Sequence, residues 1–557
     1  MKKDYTPGYM VQEVMITVLP GEENNPLLVR EKICQELSRN GIHVSGDRIS
    51  ALVFRKKSID ARRGRIRIHL KYTVYIDGPP SPEEIPSGGD GSVFVPAWKK
   101  CDPGKKVVIV GSGPAGLFAA LRLIEDGITP VIVERGPPAS DRKQDIAAIS
   151  TRQTVNPDSN YCFGEGGAGT FSDGKVYSRS NKRGNIDRIL RIFHWHGADS
   201  SILTDAHPHI GTDRLPGIIS RIRETICSYG GEIHFNARCT GLIYRNGRIA
   251  GIKALRGPEE SAELHGDAVI LAAGHSARDI YEMLADFEKG NGISGRILEA
   301  KAFAAGVRVE HPRAVIDRIQ YHGLKEANEL PAAEYRLSAQ IDGRGVYSFC
   351  MCPGGFIIPS ATHDDEIVVN GMSSAGRNSR WSNSAIVVEI RPEDVPGEFS
   401  DHGSPALAGI RFQHWIEHEA KKQGEGQKAP AQRLVDFMDA RATADFPEYS
   451  YTPGLISSRL DLWLPKHIAS RLREAFTDYN MKMKGFISPE AVLVAPETRT
   501  SSPVRILRNS QTLESESLPG LYPAGEGSGY AGGIVSSAMD GEKTAGAIAL
   551  NVFSGRA

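Results

Sequence analysis

The sequence predicts an α/β protein in three parts: a Rossmann-like nucleotide-binding domain, a mixed α/β domain inserted into it, and a small α+β unit in front. Three observations carry this expectation. A β-branched apolar run enters a G-x-G-x-x-G string that opens a helical pattern, the next strand ends in an acid, and a segment rich in Pro, Gly and Ser sets off everything before it. The boundaries expected are 1–90 for the leading unit, 100–295 and 506–557 for the two pieces of the nucleotide-binding domain, and 296–505 for the inserted domain.

A chain of 557 residues exceeds one ordinary core. Its 40% hydrophobic and 24% charged shares are those of a globular protein, and its formal net charge of zero gives no overall field for nucleic acid or an anionic membrane. No stretch supplies the roughly 18 apolar residues of a membrane span. Seven cysteines without a regular framework fit reduced thiols, so a cytoplasmic address is expected.

In the leading unit, Met10 to Leu19 partly alternates apolar with polar residues. Pro26-Leu27-Leu28 opens a helical pattern through Ile33 and Leu37 that stops at Gly41, and Ile49–Phe54 and Ile66–Tyr75 read as strands. Gly78 to Gly89 can sustain neither helix nor central strand.

Lys105–Val110 then runs into Gly111-Ser112-Gly113-Pro114-Ala115-Gly116. Gly111 permits a tight turn, Gly113 lets the backbone approach a pyrophosphate, and Gly116 lets the following helix pack on the strand. The phosphates would meet the amide-lined positive end of that helix, whose pattern from Leu117 stops at Gly127. Val131-Ile132-Val133 ends in Glu134, 18 residues beyond Gly116, where a carboxylate can accept from ribose hydroxyls. Gly290–Gly295 spells the same string, but Ala285–Lys289 before it is no buried strand, so no second nucleotide site is expected there.

Four segments resemble the motif set of FAD-containing oxidoreductases related to glutathione reductase and p-hydroxybenzoate hydroxylase. They are the unit just described, closed by Glu134-Arg135-Gly136; the glycine-rich Phe163–Lys175 with Gly166 and Gly167; the strand and turn Asp267–Ser276 with Ala273 and Gly274; and Leu521–Gly527 with Gly525 and Glu526, followed by Gly533-Ile534-Val535 and a helix. The resemblance implies FAD as cofactor. It also implies that Arg142 lies near the phosphates and that Cys239, in a strand Ile233–Leu242, presents its backbone to the adenine. Ala273 stands where relatives carry Thr, and Glu526 where they carry Asp. Nearly the whole chain further resembles a family of uncharacterised bacterial FAD-dependent dehydrogenases, through Ser58–Arg62, Phe163–Lys175, Gly306–Pro312, Phe349–Gly355 and Glu497–Pro503.

In such a protein the flavin carries the hydride and the chain orients, tunes and excludes water. The function expected is an FAD-dependent oxidoreductase moving hydride between flavin and an unidentified small molecule, with NAD(P)H or another electron donor or acceptor as partner. Cys350 and Cys352 lie two apart in a predicted strand, so both thiols would face one side, as base, nucleophile or redox partner, or plainly as small buried hydrophobes. Lys175 would place a cation near the flavin or be plainly an exposed loop lysine, and His209 would act as acid or base or be simply a partly buried histidine. His194, His196, His207 and His209 lack a companion ligand cluster, so no metal is expected. Arg499 and Arg505 read as surface ion-pairing residues rather than a substrate clamp.

Residues 1 to 80 carry 14 Lys and Arg against 9 Asp and Glu, concentrated at Arg55-Lys56-Lys57 and Arg62-Arg63-Gly64-Arg65. An RNA-modifying flavoenzyme is therefore one alternative, although interleaved aromatics are missing and nucleic acid is not the expected partner. A non-catalytic FAD-binding module is the other.

Overall fold

A computed structural model describes residues 10–61, 65–78, 94–177, 184–257, 260–290, 295–323, 330–400 and 403–554. Most of the Pro/Gly/Ser-rich linker, Arg62 to Gly64 of the basic turn, and Asn291 to Ser294 of the second glycine string lie outside the described residues. No helix among them is long and apolar enough to cross a membrane.

The leading unit is a three-stranded antiparallel sheet, β1 (Met10–Val18), β2 (Ile49–Asp60) and β3 (Arg67–Ile76), with β3 central. The helix Pro26–Arg39 covers it through Val29, Ile33 and Leu37. Asn25 caps that helix by accepting from the Leu27 and Leu28 amides at 3.2 Å. This unit shares one continuous apolar cluster with the inserted domain. Its Lys57 also exchanges backbone hydrogen bonds with Thr204 and Ala206, at 3.2 and 3.1 Å.

The nucleotide-binding domain is built on a five-stranded parallel sheet. Its order is β22 (Leu521–Pro523), β10 (Ala268–Leu271), β4 (Asp102–Val110), β5 (Ile128–Val133) and β6 (Glu232–His234). Parallel strands need cover on both faces. Val107 and Ile109 of β4 pack with the helices Pro114–Glu125 and Ile534–Ile548, while Val108 and Val110 pack toward the antiparallel sheet of β7 (Ala237–Arg245), β8 (Arg248–Arg256) and β9 (Glu260–His265). The single strand expected over Ile233–Leu242 is two: Asn236 adopts φ 52°, which ends β6 in one sheet and starts β7 in another.

The chain leaves this domain through β11 (Leu298–Ala300) and returns through β21 (Val504–Ile506), which pair antiparallel. Between them a seven-stranded sheet runs in the order β13 (Ser338–Ile341), β14 (Arg344–Cys352), β17 (Trp381–Ile390), β12 (Phe303–Pro312), β20 (Val492–Glu497), β18 (Ala429–Arg433) and β19 (Leu455–Ser457). All its pairs are antiparallel except β18 with β19. A short hairpin, β15 (Phe356–Pro359) with β16 (Val369–Met372), flanks it.

Candidate active site

The loop between β4 and the helix Pro114–Glu125 shows why three glycines are needed. Gly111 has φ 101°, and a Cβ there would lie 2.5 Å from the Ala272 carbonyl oxygen. At Gly116 a Cβ would lie 2.0 Å from the Gly111 oxygen, so that glycine sets the contact of helix and strand. At Gly113 a Cβ would meet nothing within 4 Å. Gly113 is also the N-cap of the helix with no side chain capping it, and Pro114 follows at the first turn. The open space beside Gly113 therefore faces an uncapped helix N-terminus, which suits a pyrophosphate.

Glu134, at the end of β5, is buried and accepts four hydrogen bonds from the chain itself. These come from the amide and hydroxyl of Ser112, at 2.9 and 2.8 Å, and from the amides of Gly136 and Gly164, at 3.0 Å each. One carboxylate thus ties together the first loop, the strand end and the glycine-rich segment. Arg135 stacks 4.3 Å from the centre of the Phe163 ring and pairs with Asp279.

Arg142 departs from its expected place at the phosphates. It is fully buried and donates to the carbonyls of Asn160, Tyr161, Gly164, Glu165 and Gly167, which pin the glycine-rich loop from behind. Burial pulls its pKa down to about 10. Cys239 is buried at a bulge of β7, and burial pushes its thiol up to about 12, so this side chain is inert.

The loop held by Arg142 lies against the first one. The Gly166 amide donates to the Ser112 carbonyl at 3.0 Å, and a Cβ at Gly167 would lie 3.2 Å from the Gly113 Cα. Gly169 fits between Pro114 and Ile534, bringing the N-termini of both glycine-started helices to one place. Gly533 is the N-cap of the second helix and brings no side-chain cap, while the Ser536 hydroxyl bridges the Gly532 amide and the Gly533 carbonyl at 3.1 Å each and Val535 anchors that helix in the core.

Beyond these loops, the Ala273-Gly274 turn packs on Gly525–Gly527. A Cβ at Gly527 would lie 2.5 Å from the Gly274 oxygen, whereas at Gly274 or Gly532 it would meet nothing within 4 Å. The open positions 113, 274 and 532 fit an elongated dinucleotide such as FAD. Glu526 sits 3.6 Å from His275. Burial pushes the Glu526 carboxyl up to about 7, with Lys301 opposing and negative charge at Cys350 adding. Burial likewise pushes His275 down to about 4.

The structure also brings Lys175, Cys350 and Cys352 together. Lys175 Nζ is 3.9 Å from each sulfur and 2.8 Å from the buried Asp173 carboxylate. The thiols do not converge by simple strand alternation: a bulge interrupts the β14–β17 register between Phe349 and Cys352, with Cys350 at φ 50°. His209 pairs with Lys175 through the backbone, but its Nε2 is turned to the Ala375 carbonyl at 3.0 Å rather than to the thiols.

The Cys352 thiol, donating toward Cys350, holds Cys350 well below the usual thiol value against the effect of burial, and Lys175 and Arg308 add to this. Cys352 is correspondingly raised. Burial works against the Lys175 ammonium, but Asp173 and the thiols outweigh it and keep the charge.

Sequence reasoning missed Arg308, Asp173 and Glu497. Arg308 is fully buried, forms a two-pronged pair with Glu497 at 2.6 and 3.0 Å, and reaches Cys352 at 3.9 Å and Asn383 at 2.6 Å. The signal was an arginine inside the apolar Gly306-Val307-Arg308-Val309 and an acid inside Ala495-Pro496-Glu497, two strands that pair. Arg499 corrects the surface reading: it is buried and bound by Glu366 and Glu417, whereas Arg505 is half-exposed beside Glu299. His196 is buried on the Ile192 carbonyl and Thr225, and His207 pairs with Glu334.

Comparison with known proteins adds the following. Residues 105–155 match an FAD binding domain, residues 302–500 match the description "FAD-dependent protein, C-terminal domain-like", and residues 10–75 match a domain of unknown function. A protein of Clostridium beijerinckii described as uncharacterized is 39% identical over 541 residues, covering 93% of this chain and 95% of that one. Among solved structures, a variant of E. coli quinol fumarate reductase FrdA is 10% identical over 79% of this chain and 69% of that one, with TM-score 0.35. A triple mutant of the flavin-dependent brominase Bmp2 is 12% identical over 80% of both chains, with TM-score 0.31. A geranylgeranyl bacteriochlorophyll reductase-like protein of Thermoplasma acidophilum is 11% identical over 81% of both, with TM-score 0.29. By its end-to-end match to the clostridial protein and its two FAD-related family matches, the chain belongs to that protein's family of FAD-binding flavoproteins.

Proposed function

We propose that this flavoprotein is an FAD-dependent oxidoreductase of the glutathione reductase and p-hydroxybenzoate hydroxylase type, moving hydride between its flavin and a small organic molecule. Bound FAD supplies the two-electron chemistry. The chain's residues do the rest: Gly113 and the two uncapped helix N-termini hold phosphates, Ser112 can rotate its hydroxyl off Glu134 to admit a ribose hydroxyl, and the Ala273–Gly274 and Gly525–Glu526 turns line the ring end.

The observation that carries the reading is Lys175. It belongs to the glycine-rich loop stacked on Gly113, yet its ammonium contacts two thiols on β14 of the inserted domain. That contact joins β14 of the seven-stranded sheet to the glycine-rich loop. A substrate entering between the two sheets would meet Lys175, a cation suited to a group that gains negative charge during hydride transfer. The test is anaerobic: the purified protein is titrated with NADH, NADPH and metabolite pools while the visible flavin absorbance is followed. Bleaching by one donor and recovery with a second molecule is the expected outcome. A flavin that responds to none of them sinks the oxidoreductase reading and favours a non-catalytic module.

A further inference from the structure

We propose that Cys350 and Cys352 form a redox-active dithiol that closes reversibly to a disulfide and exchanges electrons with the FAD. This deepens the proposed function and rests on it for the acceptor.

Four of the family-like strings, far apart in sequence, meet at these sulfurs: Asp173–Lys175, Arg308, the cysteines themselves and Glu497. A pair of merely space-filling thiols needs apolar neighbours. These have a partly buried ammonium 3.9 Å from each sulfur and a fully buried guanidinium 3.9 Å from Cys352. Their backbone also departs from the regular strand. Cys350 takes a left-handed φ of 50° at a bulge, a conformation uncommon for a residue with a side chain. The bend turns the Cys352 sulfur back to 3.3 Å from the Cys350 carbonyl oxygen.

Exchange chemistry needs one thiolate to attack and one protonated thiol beside it. The more exposed Cys350 is assigned the attacking thiolate and the buried Cys352 the proton. On oxidation the S–H bond of Cys352 breaks and an S–S bond forms. Two electrons and the Cys352 proton pass to FAD, which balances the step in charge and hydrogen. In reverse, the same electrons and proton open the disulfide. The remaining cysteines, Cys34, Cys101, Cys162, Cys227 and Cys239, are unpaired with any other and serve as internal controls.

The experiment uses full-length, FAD-loaded protein equilibrated anaerobically in dithiothreitol buffers of varied reduced-to-oxidised ratio, then acid-quenched, alkylated and digested. The expected result is that the peptide carrying Cys350 and Cys352 passes from doubly alkylated to internally disulfide-linked as the buffer becomes oxidising, while Cys239 stays alkylatable. Cys350→Ser and Cys352→Ser should each leave a lone thiol that labels at every ratio. Lys175→Met should move the pH midpoint of Cys350 alkylation upward and slow its labelling at neutral pH about tenfold, with Lys175→Arg restoring much of the rate. Two thiols that stay alkylated at every ratio, in a protein that keeps its flavin absorbance, overturn the dithiol. A colourless protein that cannot be reconstituted with FAD overturns the proposed function itself, and with it the acceptor.

Discussion

At the scale of single residues, the cleft is governed by charges that burial would expel unless paired. Arg308 and Glu497 face each other in the middle of an antiparallel sheet with almost no exposure. Arg308→Met would leave Glu497 buried without its partner, a loss of about 3–5 kcal/mol readable from urea unfolding. Adding Glu497→Gln should recover part of it, because the stranded charge is the main cost. Glu526 gives a pH signature. The folded chain keeps its proton up to about pH 7, whereas an unfolded chain releases it near the ordinary value of 4.5. The stability this confers is complete below about 4.5 and is lost as pH rises through 7. The advantage of the FAD-free wild type over Glu526→Gln should therefore shrink by about 2–3 kcal/mol across that window. A constant difference would show that Glu526 is solvated. The sequence reading reached Lys175, Cys350 and Cys352 because their types and spacing are unusual. It did not reach Arg308 or Glu497, whose meaning comes from two paired strands joining positions nearly two hundred residues apart, nor Asp173, whose burial beneath Lys175 a loop pattern does not announce.

At the scale of elements, glycine decides how closely helices approach. A Cβ at Gly541 in the helix Ile534–Ile548 would lie 2.0 Å from the Ala115 oxygen, the same clearance that Gly116 faces against Gly111. Gly116→Ala and Gly541→Ala should each destabilise the FAD-free protein by about 2 kcal/mol, visible as a lower thermal midpoint, since both insert a methyl into closed backbone contacts. Unchanged midpoints would mean that these helices are free to slide. The first βαβ unit was legible because strand, glycines, helix and acid follow one another without interruption. The break at Asn236 was not, because the alternation of Ile233, Phe235, Ala237 and Cys239 with polar residues reads as one strand whether or not a left-handed residue divides it between two sheets. The role given to Arg142 failed for a related reason: a basic residue after an acidic strand end says nothing of the five carbonyls a later loop will offer it.

At the scale of the whole molecule, the leading unit is less separate than its composition suggests. Its helix and sheet share an apolar cluster with the inserted domain, and His322 of that domain bonds the Ala61 carbonyl at 2.7 Å. Part of its basic surplus is also paired, as Lys57 with Glu23 and Lys71 with Glu13. Calorimetry should therefore find no early, independent transition for this unit, and hydrogen exchange should protect β3 as strongly as β12. A separate low-temperature peak would restore the picture of a detachable module. Three of the four motifs do share one parallel sheet, in which Leu521–Pro523 pairs with Ala268–Leu271 and that strand with Asp102–Val110, while the meeting of Lys175 with the two thiols comes from long-range packing that no local pattern encodes. All of this depends on a pyrophosphate lying beside Gly113, where the chain itself leaves room for a methyl group. The decisive measurement is FAD affinity of Gly113→Ala by fluorescence titration of FAD-free protein, with its unfolding free energy measured in parallel. Affinity should fall about tenfold or more while stability stays within about 1 kcal/mol of wild type. Undiminished affinity in the folded variant would place the dinucleotide elsewhere.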